Sequence, residues 1–208
     1  MPTGYSDHIN HALAFAAKHH DQQVRKGTGV PYLTHPANVA IILTRYACDE
    51  ETVLGGILHD VVEDCVRDGV TRETLERRIG DKFGSEVLET VLAVTHRRHD
   101  DDGVELSAED RKDDYLERLA LASDRARWVC AADKLHNGAS ILADLRRTMD
   151  PQTVWSRFNV GRDGTIAWYR RVHSRLQALG FNAPIMQELG DIARDLEKWN
   201  DAPRPKSN

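Results

Sequence analysis

The stretch "GGILHDVVED", residues 55–64, sets one histidine and three carboxylates at the end of an apolar run. At 100° per residue, Leu54, Ile57, Leu58, Val61 and Val62 fall on one side of a helix that Asp49 would cap, and His59, Asp60, Glu63 and Asp64 share the remaining arc. An arc of that kind ordinarily meets water. Here two features argue for a cation instead. Acidic side chains in a last helical turn face the negative end of the macrodipole, each disfavoured by roughly 0.3–1 kcal/mol, so three together ask for a compensating charge. A histidine next to an aspartate also brings a nitrogen and an oxygen ligand toward one ion. The dipeptide alone discriminates nothing, because it recurs at His20-Asp21 and His99-Asp100. The first of these lies at a fraying helix end and the second opens an aspartate-rich loop, so both are expected on the surface. Only His59-Asp60 has apolar flanks, where an unpaired charge would be costly.

Outward from this stretch, aliphatic residues and alanines recur at helical spacing almost throughout, and no segment alternates with period two. The pattern predicts an all-α protein. Helices are expected over residues 7–23, 36–46 with Pro36 in the first turn, 49–64, and from Thr71 and Ser85 on either side of Gly84. Residues 96–108 read as a long polar loop, followed by helices near 110–122, 124–147, 153–179 with a break around Gly161 and Gly164, and 183–199. Without a repeat or a low-complexity linker, residues 1–200 are expected to form one domain, with 201–208 as a frayed tail.

A composition that is 40% hydrophobic and 29% charged, with a formal net charge of −5, belongs to a globular chain. No run approaches the ~18 uncharged apolar residues of a membrane span, and the start, MPTGYS, has no basic and apolar leader. Cys48, Cys65 and Cys130 form no CxxC spacing and sit within apolar helical patterns. These features predict a cytoplasmic protein with no membrane partner. The negative balance argues against nucleic-acid binding, which needs a concentrated basic face.

A mononuclear site needs more ligands than His59 and Asp60. His35 is fixed at a helix start by the following Pro36. Asp133, in "VCAADKLHN", lies inside an otherwise apolar helix, with Asn137 four residues on along the same face as an orienting neighbour. Two imidazoles and two carboxylates suit Mn²⁺, Fe²⁺ or Zn²⁺ better than Ca²⁺. With Asp60 as a ligand, Glu63 is assigned to the proton and Asp64 to orientation. A phosphate-rich substrate would be repelled by this chain unless cations line its pocket; Arg25, Lys26, Lys134, Arg157 and Arg162 are the candidates.

Taken in order, "HDQQVRKGTGVPYLTHP", "GGILHDVVED" and "AADKLHN" resemble the hydrolase domain of the RelA/SpoT-homologue family, within the HD-domain phosphohydrolase superfamily. The resemblance is close over residues 7–145. "EDRKDDYLERL" and a tail with Trp155, Arg157, Phe158, Trp168 and Tyr169 are similar to its single-domain small alarmone hydrolases. The resemblance implies an all-α HD bundle in which His35, His59, Asp60 and Asp133 hold one divalent ion, usually manganese. It implies that Glu63 and Asp64 activate or position water, that Arg25 and Lys26 contact a nucleotide, and that Asn137 sits near the ribose and metal. The implied reaction removes pyrophosphate from the 3′ position of (p)ppGpp, leaving GDP or GTP. One departure is the segment His96-Arg97-Arg98-His99-Asp100-Asp101-Asp102-Gly103, which lacks the lysine-bearing loop expected beside the nucleotide, so base identity is open and (p)ppApp stays an alternative. The competing readings are an HD phosphohydrolase acting on another nucleotide or phosphate monoester, and a nucleotide-binding regulator without catalysis. The full ligand set with Glu63 and Asp64 speaks against the second.

Overall fold

A computed structural model describes residues 5–199; the tail expected at 201–208 lies outside them. Among the described residues there are eleven helices and no named strand: α1 Asp7–His19, α2 Thr34–Arg45, α3 Glu50–Leu58, α4 Val61–Asp64, α5 Arg72–Phe83, α6 Ser85–Val94, α7 Ala108–Leu121, α8 Asp124–Arg147, α9 Gln152–Trp155, α10 Gly161–Ala178 and α11 Ile185–Lys198. The capping residues explain several starts. Ser6, Asp49, Thr71, Ser107 and Ser123 each accept a hydrogen bond from a backbone N–H in the first turn of the helix they open. Gly84, at φ +91°, makes the turn that separates α5 from α6.

The 24-residue α8, about 36 Å long at 1.5 Å per residue, is the hub: α2, α3, α6 and α11 pack on it. Its Val129, Cys130, Ala131, Ala132 and Leu145 are fully buried. The stripe of α3 is equally apolar, and Gly55 and Gly56 let its backbone approach its neighbours closely. A Cβ on Gly56 would meet Leu43 Cδ1 of α2 at 2.4 Å, and one on Gly55 would meet Thr90 Cγ2 of α6 at 2.7 Å.

One boundary differs from the sequence expectation. The single helix expected over 49–64 is interrupted at His59 and Asp60, leaving α4 as a separate turn. The His59 imidazole takes the Gly56 carbonyl at 2.8 Å, the acceptor that a continuing ladder would offer to the N–H of residue 60. The macrodipole argument for three acids at one helix end is therefore replaced by a kinked turn that points them separately.

Candidate metal centre and its cavity

The first turn of α2 supplies His35, the α3–α4 junction supplies His59 and Asp60, and the middle of α8 supplies Asp133. Their ligand atoms converge. His35 Nε2 lies 3.2 Å from His59 Nε2, 3.4 Å from Asp60 Oδ2 and 3.1 Å from Asp133 Oδ1. His59 Nε2 lies 3.1 Å from Asp60 Oδ2 and 3.8 Å from Asp133 Oδ1. Atoms bound about 2.1 Å from a common ion are separated by about 3.0–3.5 Å in cis-octahedral or tetrahedral arrangement, so His35, His59 and Asp60 fit a single divalent ion, while Asp133 lies beside them, 3.1 Å from His35 Nε2 but 3.8 Å from His59 Nε2. Among the described residues, His35, His59 and Asp60 are the set whose ligand atoms all lie within reach of one ion, and Asp133 stands outside that set.

Electrostatics reinforce the fit. His35 is 1% exposed, His59 3% and Asp133 8%. Burial opposes a charge on His59, but Asp60 and Asp133 outweigh it and hold its pKa well above the usual imidazole range. Burial likewise opposes ionisation of Asp133, yet the Lys134 ammonium, His35 and His59 outweigh it and keep the carboxylate charged. Without a metal, the Asp60 and Asp133 carboxylates are thus balanced by the Lys134 ammonium and a proton on His59. A divalent ion supplies positive charge at the same place and displaces the His59 proton.

The next ring of contacts orients the ligands. His59 Nδ1–H donates to Gly56 O, which directs Nε2 inward. Tyr32 Oη donates to Asp60 Oδ2 at 2.7 Å, and His35 Nδ1 meets His136 Nδ1 at 2.7 Å. Lys134 Nζ donates to Asp133 Oδ2 at 2.7 Å, and Asn137 Nδ2 donates to Asp133 Oδ1 at 2.5 Å. Arg25 Nη2 donates to Asn137 Oδ1 at 2.7 Å, so a cation from the loop after α1 is coupled to the Asp133 carboxylate through one amide.

Beside this centre opens a cavity of about 650 Å³. Arg25, Lys26, Lys112, Lys134, Arg147 and Arg157 line it, with Phe158, Trp168 and Tyr169 as apolar walls and Asp64 and Asn137 on the metal side. Glu63 lies half-buried beside it: its Oε2 accepts the His96 N–H at 2.8 Å. Burial, with Asp60 and Asp64 nearby, pushes the Glu63 pKa up to about 7, the range suited to a proton acceptor near neutral pH. Burial and Asp60 also raise Asp64.

The structure thus gathers His35, His59, Asp60, Asp133, Glu63, Asp64, Asn137, Arg25, Lys26, Lys134 and Arg157 at one place. It does not bring Arg162 there: that side chain bonds Asp163 and the Glu197 carbonyl, away from the cavity. His20 was expected on the surface but is 3% exposed, because its ring stacks on Tyr32, bonds Gln23 Oε1 and contacts Cys65. His99 is exposed, as expected. Tyr32, Lys112 and His136 were missed as site residues. Tyr32 and His136 lie within the quoted motifs, where a hydroxyl and an imidazole beside ligands were a usable signal.

The family model described as "HD domain" matches residues 12–166. The chain is 34% identical over 197 residues to guanosine-3′,5′-bis(diphosphate) 3′-pyrophosphohydrolase MESH1 of Drosophila melanogaster, covering 93% of this chain and 97% of that protein. It is 38% identical to the Mus musculus protein of the same name, covering 87% and 90%. A GTP pyrophosphokinase of Myxococcus xanthus is 36% identical over 134 residues, 63% of this chain, which spans only 17% of that longer protein. Among solved structures, one described as a metazoan ortholog of SpoT that hydrolyses ppGpp superposes with a TM-score of 0.71 at 31% identity, covering 92% of this chain and 96% of that one.

Proposed function

Because the chain belongs to the HD-domain family and matches its ppGpp-hydrolysing members over nearly their whole length, we propose that it is a metal-dependent (p)ppGpp 3′-pyrophosphohydrolase. The observation that carries this reading is the convergence of two imidazole nitrogens and two carboxylates beside a cation-lined cavity of nucleotide size. His35, His59, Asp60 and Asp133 would hold one divalent ion; the mixed nitrogen and oxygen donors suit Mn²⁺, Fe²⁺ or Zn²⁺, and the family resemblance favours Mn²⁺ among them. When bound, such an ion supplies Lewis acidity toward a phosphoryl oxygen and makes a water acidic enough to attack near neutral pH.

The chain's own residues do the rest. Arg25, Lys26, Lys134 and Arg157 offset the substrate's phosphate charge, which a chain of net charge −5 would otherwise repel. Phe158, Trp168 and Tyr169 give the base and ribose an apolar surface. Glu63 accepts the proton of the attacking water, and Asp64, on the cavity wall, orients that water. Water oxygen bonds to the phosphorus next to the ribose 3′ oxygen, that P–O bond breaks, and the 3′ oxygen leaves with a proton as pyrophosphate is released. Residues 1–200 act as one hydrolase domain on a small nucleotide in the cytoplasm, with (p)ppGpp as the substrate and (p)ppApp kept open as an alternative.

The test is to incubate metal-stripped protein with ppGpp or ppApp, with and without Mn²⁺, and resolve the products by anion exchange. Pyrophosphate together with GDP or ADP, formed only with metal, is expected. Inertness toward both nucleotides would refute the alarmone reading.

A further inference from the structure

On the far side of α1, its outer face and α5 enclose a second cleft, of about 320 Å³. His11, Lys18 and His19 of α1 and Arg78 and Lys82 of α5 line it, with Phe15 as an apolar wall, and no carboxylate does. That is unusual for this chain, which pairs most of its cations: Arg45, Arg97, Arg118, Arg125 and Arg171 all hold carboxylates. Lys18, Arg78 and Lys82 have no ion-pair partner among the described residues, and all three are exposed. A second observation is independent of the charges. His19 is 3% exposed, and its Nδ1 is a buried polar atom with no hydrogen-bond partner. Leaving such an atom unsatisfied is costly, and native structures rarely do so without a ligand or water to complete it. Burial, then Arg67, Arg78 and Lys18, lower the His19 pKa to about 4, so the ring is faced by positive charge from several side chains.

We propose that this cleft between α1 and α5 is a second anion site that takes a phosphate group, held by Lys18, Arg78 and Lys82 against the His19 ring. Cations in a fixed cluster with a low-dielectric wall behind them bind a compact tetrahedral oxyanion better than isolated surface lysines do. The site is independent of the hydrolase reading, since it shares no residue with the metal centre or its cavity.

The experiment is a titration of the full chain with inorganic phosphate at constant ionic strength, followed by backbone amide NMR. In the wild type, the amides of Lys18, His19 and Lys82 should shift with saturation. In the Arg78→Gln/Lys82→Gln variant the apparent Kd at these amides should rise roughly tenfold, because each exposed charge contact is worth about threefold to fivefold. The response of His136 and Asn137 in the large cavity should be unaffected. Lys18→Gln alone, at an exposed position, repeats the test if the double variant is unstable. Absence of shifts on α1, shifts reproduced by sodium chloride of equal ionic strength, or an unchanged Kd in the variants would each overturn the proposal.

Discussion

Replacing Glu63 by glutamine should make the metal-free protein more stable while removing most of its activity. The Glu63 carboxyl is buried beside Asp60 and Asp64, and its pKa of about 7 stands against 4.5 in an unfolded chain. The sign follows from which form the fold disfavours. Folding binds a proton at this site, so the contribution of Glu63 to stability is whole below about pH 4.5 and is lost as pH rises toward 7. At 1.36 kcal/mol per unit, the loss is about 1 kcal/mol at pH 5 and about 3 kcal/mol at pH 8. Glutamine has the same shape, still accepts the His96 N–H, and carries no charge to bury. Glu63→Gln should therefore gain about 1 kcal/mol over wild type at pH 5 and about 3 kcal/mol at pH 8, the second equivalent to roughly 5–10 °C in Tm for a chain of this size. Asp60 and Asp64 are common to both proteins and largely cancel. The assay is urea unfolding of metal-stripped wild type and variant at both pH values, alongside turnover with metal restored, where kcat should fall by roughly 10²–10⁴-fold. A stability difference that does not grow between pH 5 and pH 8 would refute the argument that Glu63 is held neutral by burial.

Metal removal should lower stability: with ion at about 100 times its Kd the linkage is about 2.7 kcal/mol, roughly 5–10 °C in Tm, and a melting curve unmoved by EDTA would deny the site a cation. Tyr32→Phe removes the hydroxyl that donates to Asp60 Oδ2 and should weaken metal binding by roughly 10–100-fold with little change in unfolding; calorimetric titration with Mn²⁺ reads this directly. Gly138→Ala should cost about 1–3 kcal/mol, because its Cβ would lie 2.3 Å from Ile192 Cγ2 and 3.0 Å from the Tyr169 ring; equal urea midpoints for the two proteins would show that α11 can move aside.

The metal-site residues were legible because their surroundings were. His35 was marked by Pro36, His59-Asp60 by apolar flanks, and Asp133 by the apolar stripe of α8, and each feature reports burial from local sequence. Helix starts were legible where a side chain caps them, as at Asp49 and Thr71, and where a glycine turn separates two helices, as at Gly84. What was not legible depends on contacts between distant segments. The break at His59 follows from a ring nitrogen competing for Gly56 O, which periodicity cannot report. His20 is buried by Tyr32, Gln23 and Cys65, the last 45 residues away, so its place at a helix end was misleading. Lys112 reaches the cavity, where it approaches Trp168, only through the packing of α7 beside α10. Arg162 was nominated for its charge and proximity to Arg157, yet it is one helix start later and faces the end of α11.

The wide spacing of the ligands along the chain also has a kinetic side. His35 and His59 are 24 residues apart, but the contact between His35 and His136 closes a loop of 101 residues, and Asp133 arrives on the same helix. An ensemble in which α8 has not docked holds only the first part of the ligand set, and closing that long loop is one of the slower searches available to the chain. A divalent cation therefore meets its complete set of candidate donors only after α8 has docked. It should act as a latch rather than a template: in stopped-flow chevrons, bound Mn²⁺ should displace the unfolding limb to slower rates and leave the folding limb where it was.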